Sequence, residues 1–297
     1  MHSIRTPYLL FVFAIALSFF SCIPQKEVTS SKKELTSINT QLGQNKNTLK
    51  DLDAQRNNKE AQNEIDDTAN ARIKKFIDKT RTEIDTLIKS NTILIGETVV
   101  NKEDWDRLRK TLSFSRNSSK TINDKLLFLN DLITRNLVVK LDQDVLFEPG
   151  KYTVVPNVVT TIGQLFEPAA KEIDLFTRKY PDFPLSLVIT AKGYADATAI
   201  ADGSSLYRDL KQRLSLSVKD PDSKELNKEL SRARAEAVKI LFQKFAATRS
   251  DNGIFLRKVV YIYEGKGELL PDPKITDYKI DDPRRRVVLL FWSVFPE

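Results

Sequence analysis

The side chains able to do chemistry are unevenly placed in this 297-residue chain. The only histidine, His2, and the only cysteine, Cys22, both stand near the N-terminus. Beyond Cys22 there is neither imidazole nor thiol. That excludes a Ser-His-Asp or Cys-His triad, zinc held by His or Cys, and any disulfide. Hydrolysis by paired carboxylates stays formally open, but no acidic pair is marked out by its surroundings. The sequence supports a binder more readily than an enzyme, and no cofactor is expected. Lys and Arg number 47 against 40 Asp and Glu, a net charge of +7. Without residues 1–21, which hold Arg5 and no acid, the balance is 46 against 40, or +6. Such a surface suits an anionic polymer: nucleic acid, phospholipid headgroups or cell-wall glycan.

Two arginines in "LSRARAEAV" (230–238) differ by helical phase. At about 100° per residue, Leu226, Leu230, Ala233, Ala237, Ile240 and Leu241 form one apolar stripe. Arg234 falls on the flank of that stripe, on the same side as Asn227 two turns earlier. Arg232 projects nearly opposite, into solvent. A ligand in a groove beside the packed face would meet Asn227 and Arg234 but not Arg232. The competing reading of Arg234 is a side chain that snorkels over the edge of the core.

The elements that must position these residues follow from texture along the chain. "MHSIRTPYLLFVFAIALSFFSC" has Arg5, an apolar run from Tyr8 to Phe20, then Ser21-Cys22. The run fits a signal-peptide hydrophobic region better than a membrane span. Residues 1–21 are accordingly a signal peptide. Residues 22–72 read as a polar spacer or a short coiled coil: Leu35, Ile38, Leu42, Leu49 and Leu52 fit heptad a and d positions, with Asn45 at the intervening d site. Self-association through 35–52 is one use of that seam. Beyond Leu52, Arg56, Lys59 and Asn63 take the same positions. Residues 73–136 read as a helical region, with Ile73, Ile77, Ile84, Leu87 and Ile88, then Trp105, Leu108 and Leu112, then Leu126, Leu129 and Ile133 at helical spacing.

From 137 the pattern alternates strands and helices. Strands are expected at "LVVKL", "LSLVITAKGY", "FLRKVVYIYEG" and "RRRVVLLFWSVF". Helices are expected over "VVTTIGQLFEPAAKEIDLFTRKY", with Ile162, Leu165, Ile173 and Phe176 inward, and around 227–245. The order β-α-β-α-β-β gives an α+β fold, helices on one sheet, preceded by an all-helical region.

Residues 137–297 resemble the OmpA-like C-terminal domain, the peptidoglycan-associating module of Gram-negative envelope proteins. Five segments carry the likeness in order over about 160 residues: "VLFEPGKYTVVP", "ITAKGYAD", "NKELSRARAEAV", "GKGELLP" and "RRRVVLLF". The resemblance implies that Asp196 and Arg234 hold the diaminopimelate of the peptidoglycan stem peptide, with Asn227, Arg285 and Arg286 beside them. A carboxylate suits the ligand's ammonium, and a planar guanidinium suits its carboxylate through paired hydrogen bonds. The chain departs from the family at Ala195, where Thr is usual, at Ala199, where Gly is usual, and at Arg284, where Asn or Asp is usual. An insertion at 197–226 separates Asp196 from Asn227; within it, Leu206, Leu210 and Leu214 fit a short amphipathic helix. A lone Cys closing the apolar run also resembles the lipobox of bacterial lipoproteins, which implies lipidation at Cys22.

The leading expectation is an outer-membrane lipoprotein facing the periplasm that tethers membrane to wall. Peptidoglycan is the expected partner and nucleic acid is not. The alternative is an interaction or host-partner-binding lipoprotein whose helical region is the active part and whose OmpA-like domain is degenerate. A flagellar-stator-like protein would need an acidic residue in its membrane helix, and residues 1–22 contain none.

Overall fold

The computed structural model describes residues 24–135, 138–214, 220–249 and 258–296. Cys22, the residues 1–21 read as a signal peptide and the side chain of Ile162 lie outside the described residues. The chain forms an α+β protein of two compact units. One holds the described residues up to Asp53 together with Lys75–Asn130; the other holds Ala54–Lys74 and the described residues from Asp131 on. Among the described residues, no helix is long and apolar enough to cross a membrane.

The first unit is built from α1 (Gln25–Ala61), α2 (Asp67–Gly96) and α3 (Lys102–Thr134), each contributing most of its length. The heptad residues Leu35, Ile38, Leu42, Leu49 and Leu52 are all buried. Side-chain bonds set the directions. Lys46 pairs with Asp85 at 2.7 Å and Asn91 donates to Asn39 at 2.9 Å, so α1 and α2 are antiparallel. Asn45 donates to Asn123 at 2.7 Å, and Arg116 pairs with Glu34, so α1 and α3 run parallel. The seam read as a site of self-association is thus occupied inside the chain, by an up-down-up bundle. Ser115 Oγ donates to Asn91 Oδ1 at 2.6 Å. Asn39, Asn91 and Ser115 therefore form a polar layer across three helices, the kind of layer that fixes register.

α1 runs unbroken to Ala61, and 54–74 belongs to the second unit. The turn carries no Gly or Pro. It is made by Asn63 in the left-handed region (φ 57°) and by Asp66, whose Oδ1 accepts from the amides of Thr68 (2.9 Å) and Ala69 (3.2 Å) at the start of α2. Asp66 is buried and also accepts from Thr190 Oγ1 at 3.3 Å. Burial raises its carboxyl above the usual range, against the amide bonds and the nearby Lys192. Asp66→Ala should lower stability by about 1–2 kcal/mol, while Asp66→Asn, an equally good cap, should cost little. Urea unfolding midpoints of the two variants check this.

In the second unit, β1 (Val138–Asp142), β2 (Leu185–Gly193), β3 (Lys258–Gly265) and β4 (Val287–Pro296) form one mixed sheet in the order β1-β4-β2-β3. β4 is antiparallel to β1 and β2, whereas β2 and β3 are parallel. Among the described residues, the α-helices α4 (Gln143–Leu146), α5 (Pro156–Lys179), α6 (Ser205–Leu214) and α7 (Ser223–Arg249) lie between the strands. β2 is buried along its whole length because both faces are covered. α7 packs on one face. On the other, Thr190 meets Asp66, and Lys192, only 2% exposed, reaches Asp67 at 3.3 Å. Arg72 lies over the Phe295 ring at 5.5 Å, and Asn63 Nδ2 donates to Tyr194 Oη at 2.8 Å. The polar heptad positions Arg56, Lys59 and Asn63 are thus anchors: Arg56 donates to Asn70 and Lys59 to the Arg135 carbonyl.

Two inward expectations fail. Leu165 is 40% exposed on α5, and Ile240 is exposed on α7. Ala235, Val238 and Phe242 are buried instead, so α7 buries a wider face than one stripe.

Candidate functional site

α7 starts on a reciprocal cap: Glu225 N–H donates to Asp222 Oδ1 (2.8 Å), and Asp222 N–H to Glu225 Oε2 (3.0 Å). Its height on the sheet is set by glycine. A Cβ on Gly193, at the end of β2, would lie well inside contact distance of the Ser231 carbonyl oxygen. A Cβ on Gly265, at the end of β3, would meet the Lys228 carbonyl in the same way. Gly267 holds a positive φ of 58°, and its amide donates to Ser231 Oγ at 2.9 Å. These contacts bring the backbone of α7 onto the strand ends, and with it Arg234 three residues further on.

Arg234 is 6% exposed. Its Nε donates to the Lys151 carbonyl at 3.0 Å and its Nη1 to Gln143 Oε1. Its guanidinium lies over the Phe147 ring at 5.5 Å. Gln143 is itself locked, since its Nε2 donates to the carbonyls of Tyr194 (2.7 Å) and Val287 (2.8 Å). Nη2 of Arg234 makes no hydrogen bond among the described residues. Burial pushes the guanidinium down to about 10, opposed by Asp144 and Asp196 and aided by Arg286. It is charged at neutral pH.

Arg286 joins two carboxylates. Its Nε and Nη2 make a fork to Asp144 (3.0 and 2.7 Å), and its Nη1 reaches Asp196 Oδ2 at 3.0 Å. Hydrogen bonds from Arg286 to Asp144 and Asp196 hold it firmly charged against the cost of burial. Asp196 Oδ1 accepts from the Thr198 amide at 3.1 Å. Asn227, buried, donates to the Thr198 carbonyl (3.1 Å) and to Glu268 (2.9 Å), holding the chain after Asp196 in place.

Asp196, Asn227, Arg234 and Arg286 therefore line one cavity of about 670 Å³, and Asp144 joins them. Two acids and two arginines make its charge sum to zero, with Arg286 paired to both carboxylates and Arg234 held separately by Lys151 and Gln143. That arrangement is matched to a ligand carrying both an ammonium and a carboxylate. Arg285 is not part of it. Its guanidinium donates to the backbone carbonyls of Lys279 (3.3 Å) and Glu268 (2.5 Å), and so ties the loop before β4 to the fold. Arg232 is outward: it stacks on Tyr263 at 5.5 Å and pairs with Glu229 at 3.2 Å. Gln143 and Asp144 were not found by sequence reasoning. The only trace of them is the break in alternation at "LDQDVL", where β1 ends.

Among the described residues, no three of His, Cys, Asp and Glu converge where they would hold a metal ion. No model of a known protein family matches the chain, and no curated protein matches its sequence.

Proposed function

We propose that the second unit is an OmpA-like domain that binds peptidoglycan non-covalently through diaminopimelate, in a protein lipidated at Cys22 that tethers an outer membrane to the wall. The observation that carries this reading is the convergence of Asp196 and Arg234, 38 positions apart in the sequence, on one charge-balanced cavity. The binding step follows from the bonds present. Arg286 occupies Asp196 Oδ2 as a cation, and a ligand ammonium takes that place while Arg286 stays forked on Asp144. The ligand carboxylate meets the uncommitted Nη2 of Arg234, already aimed by Gln143, Lys151 and Phe147. Little side-chain entropy is lost, because the clamp is built before the ligand arrives. No covalent bond is made or broken, and on this reading the protein is a binder, not an enzyme.

Co-sedimentation with purified diaminopimelate-type peptidoglycan tests the assignment. The full chain should pellet with the glycan, Asp196→Ala should stay in the supernatant, and Arg232→Ala should pellet like the parent. Equal pelleting of all three removes Asp196 from the site.

A further inference from the structure

The described residues between Asp196 and Asn227, 197–214 and 220–226, form a fixed wall. Its first part is tied down by the Thr198 carbonyl on Asn227 and by the Ala197 amide on the Ile280 carbonyl (2.9 Å). α6 then buries Leu210 with Leu226 and Leu230, and Ile200, Leu206 and Tyr207 pack against that cluster. Arg213 pins the end of α6 to α7 through Glu229 (3.0 Å) and Glu236 (2.8 Å), and lies over Tyr152 at 5.3 Å. Across the cavity, a Cβ on Gly150 would stand 3.8 Å from Leu206 Cδ2, so the wall reaches the Pro149-Gly150 turn.

This wall changes what the cavity can hold. Every charged lining residue, Asp144, Asp196, Arg234 and Arg286, comes from outside the segment. Among the described residues, the segment adds no charged side chain to the lining; besides Thr198 and Ser204 it adds Ile200 and Leu206, which together with Phe147 and Leu230 make an aliphatic and aromatic surface. Leu230 sits one helical turn before Arg234, so this surface adjoins the clamp. The volume of about 670 Å³ is that of a site for a drug-sized ligand, and a single amino acid fills only part of it.

We infer that the inserted segment builds an aliphatic subsite beside the zwitterion clamp, and that it takes the apolar side chain of the residue peptide-bonded to the clamped one. This rests on the clamp reading above. The subsite prefers an aliphatic neighbour over a polar one, because Phe147, Ile200, Leu206 and Leu230 offer a buried amide no hydrogen-bond partner where they meet it; the hydroxyls of Thr198 and Ser204 also line the cavity.

Calorimetric titration of the full chain with three probes tests it. These are meso-diaminopimelate and its dipeptides to leucine and to asparagine, joined through one carboxyl so that the far ammonium and carboxylate stay free. The leucyl dipeptide should bind about tenfold more tightly than the near-isosteric asparaginyl one, as expected for burying one aliphatic side chain. Ile200→Ser should shrink that ratio to below about threefold. Equal affinities for the two dipeptides overturn the subsite and leave the clamp standing. Absence of binding by all three probes overturns the clamp, and the subsite with it.

Discussion

Arg234→Lys should cost this protein on the order of 10²-fold in peptidoglycan affinity while leaving it folded. Lysine keeps the positive charge, so the local charge balance with Asp144, Asp196 and Arg286 is preserved. It loses the planar fork. The Nε bond to the Lys151 carbonyl and the Nη1 bond to Gln143 aim the guanidinium, and an ammonium on a flexible stem cannot reproduce both and still meet a ligand carboxylate. A hydrogen bond to a charged group contributes about 1.5–3 kcal/mol, and roughly 1.4 kcal/mol is a factor of ten, which sets the expected loss. Some stability goes as well, about 1–2 kcal/mol, because Gln143 Oε1 is buried and loses its donor. Arg232→Lys should change neither quantity, since Arg232 is half exposed and serves only Glu229 and Tyr263. Binding isotherms on purified glycan with melts of the same samples separate the two effects. A lysine variant that binds like the parent would show that charge alone is enough at this position.

Gly193→Ala should be the most damaging single methyl group in the second unit. The Ser231 carbonyl that it would strike is helix backbone, and cannot rotate away as a side chain would. Either α7 lifts from the strand ends or β2 shifts from β3 and β4, with which it shares Gly193 as a paired position. Overpacking of this kind costs about 3 kcal/mol or more, equivalent to a melting shift of roughly 6–12 °C for a unit of this size. Lifting α7 also moves Arg234, so affinity falls with stability. Gly43, around which the structure offers a Cβ open space, is the control: alanine there should be neutral or slightly stabilising.

How far the sequence could be read depended on whether local pattern or distant partners decided each feature. Strands and helices of the second unit announce themselves through alternation and helical spacing, so β2, β4 and α7 lie where periodicity puts them. Arg232 and Arg234 separate by phase alone, because α7 is long and regular around them. Arg285 and Arg286 could not be separated that way. They adjoin in sequence, and only the short 3₁₀ turn at Pro283–Arg285 decides that one faces backbone carbonyls and the other faces Asp144 and Asp196. Arg56, Lys59 and Asn63 look like a fading coiled coil, since nothing nearby reveals that they anchor to residues such as Arg135 and Tyr194. Gln143 is silent for the same reason: its importance comes from partners 51, 91 and 144 positions away.

A chain of net charge +7 will adhere to an anionic wall polymer through charge alone, and that attraction fades as salt screens it. The measurement that tests the central claim most directly is therefore competition. The full chain is pelleted with diaminopimelate-type peptidoglycan at physiological salt, in the presence of free meso-diaminopimelate or of cadaverine, a diamine with no carboxylate, at equal ionic strength. The clamp predicts that meso-diaminopimelate releases the protein into the supernatant and that cadaverine does not. Pelleting that ignores meso-diaminopimelate, yet disappears in high salt, would contradict it and leave only a basic surface on an acidic polymer.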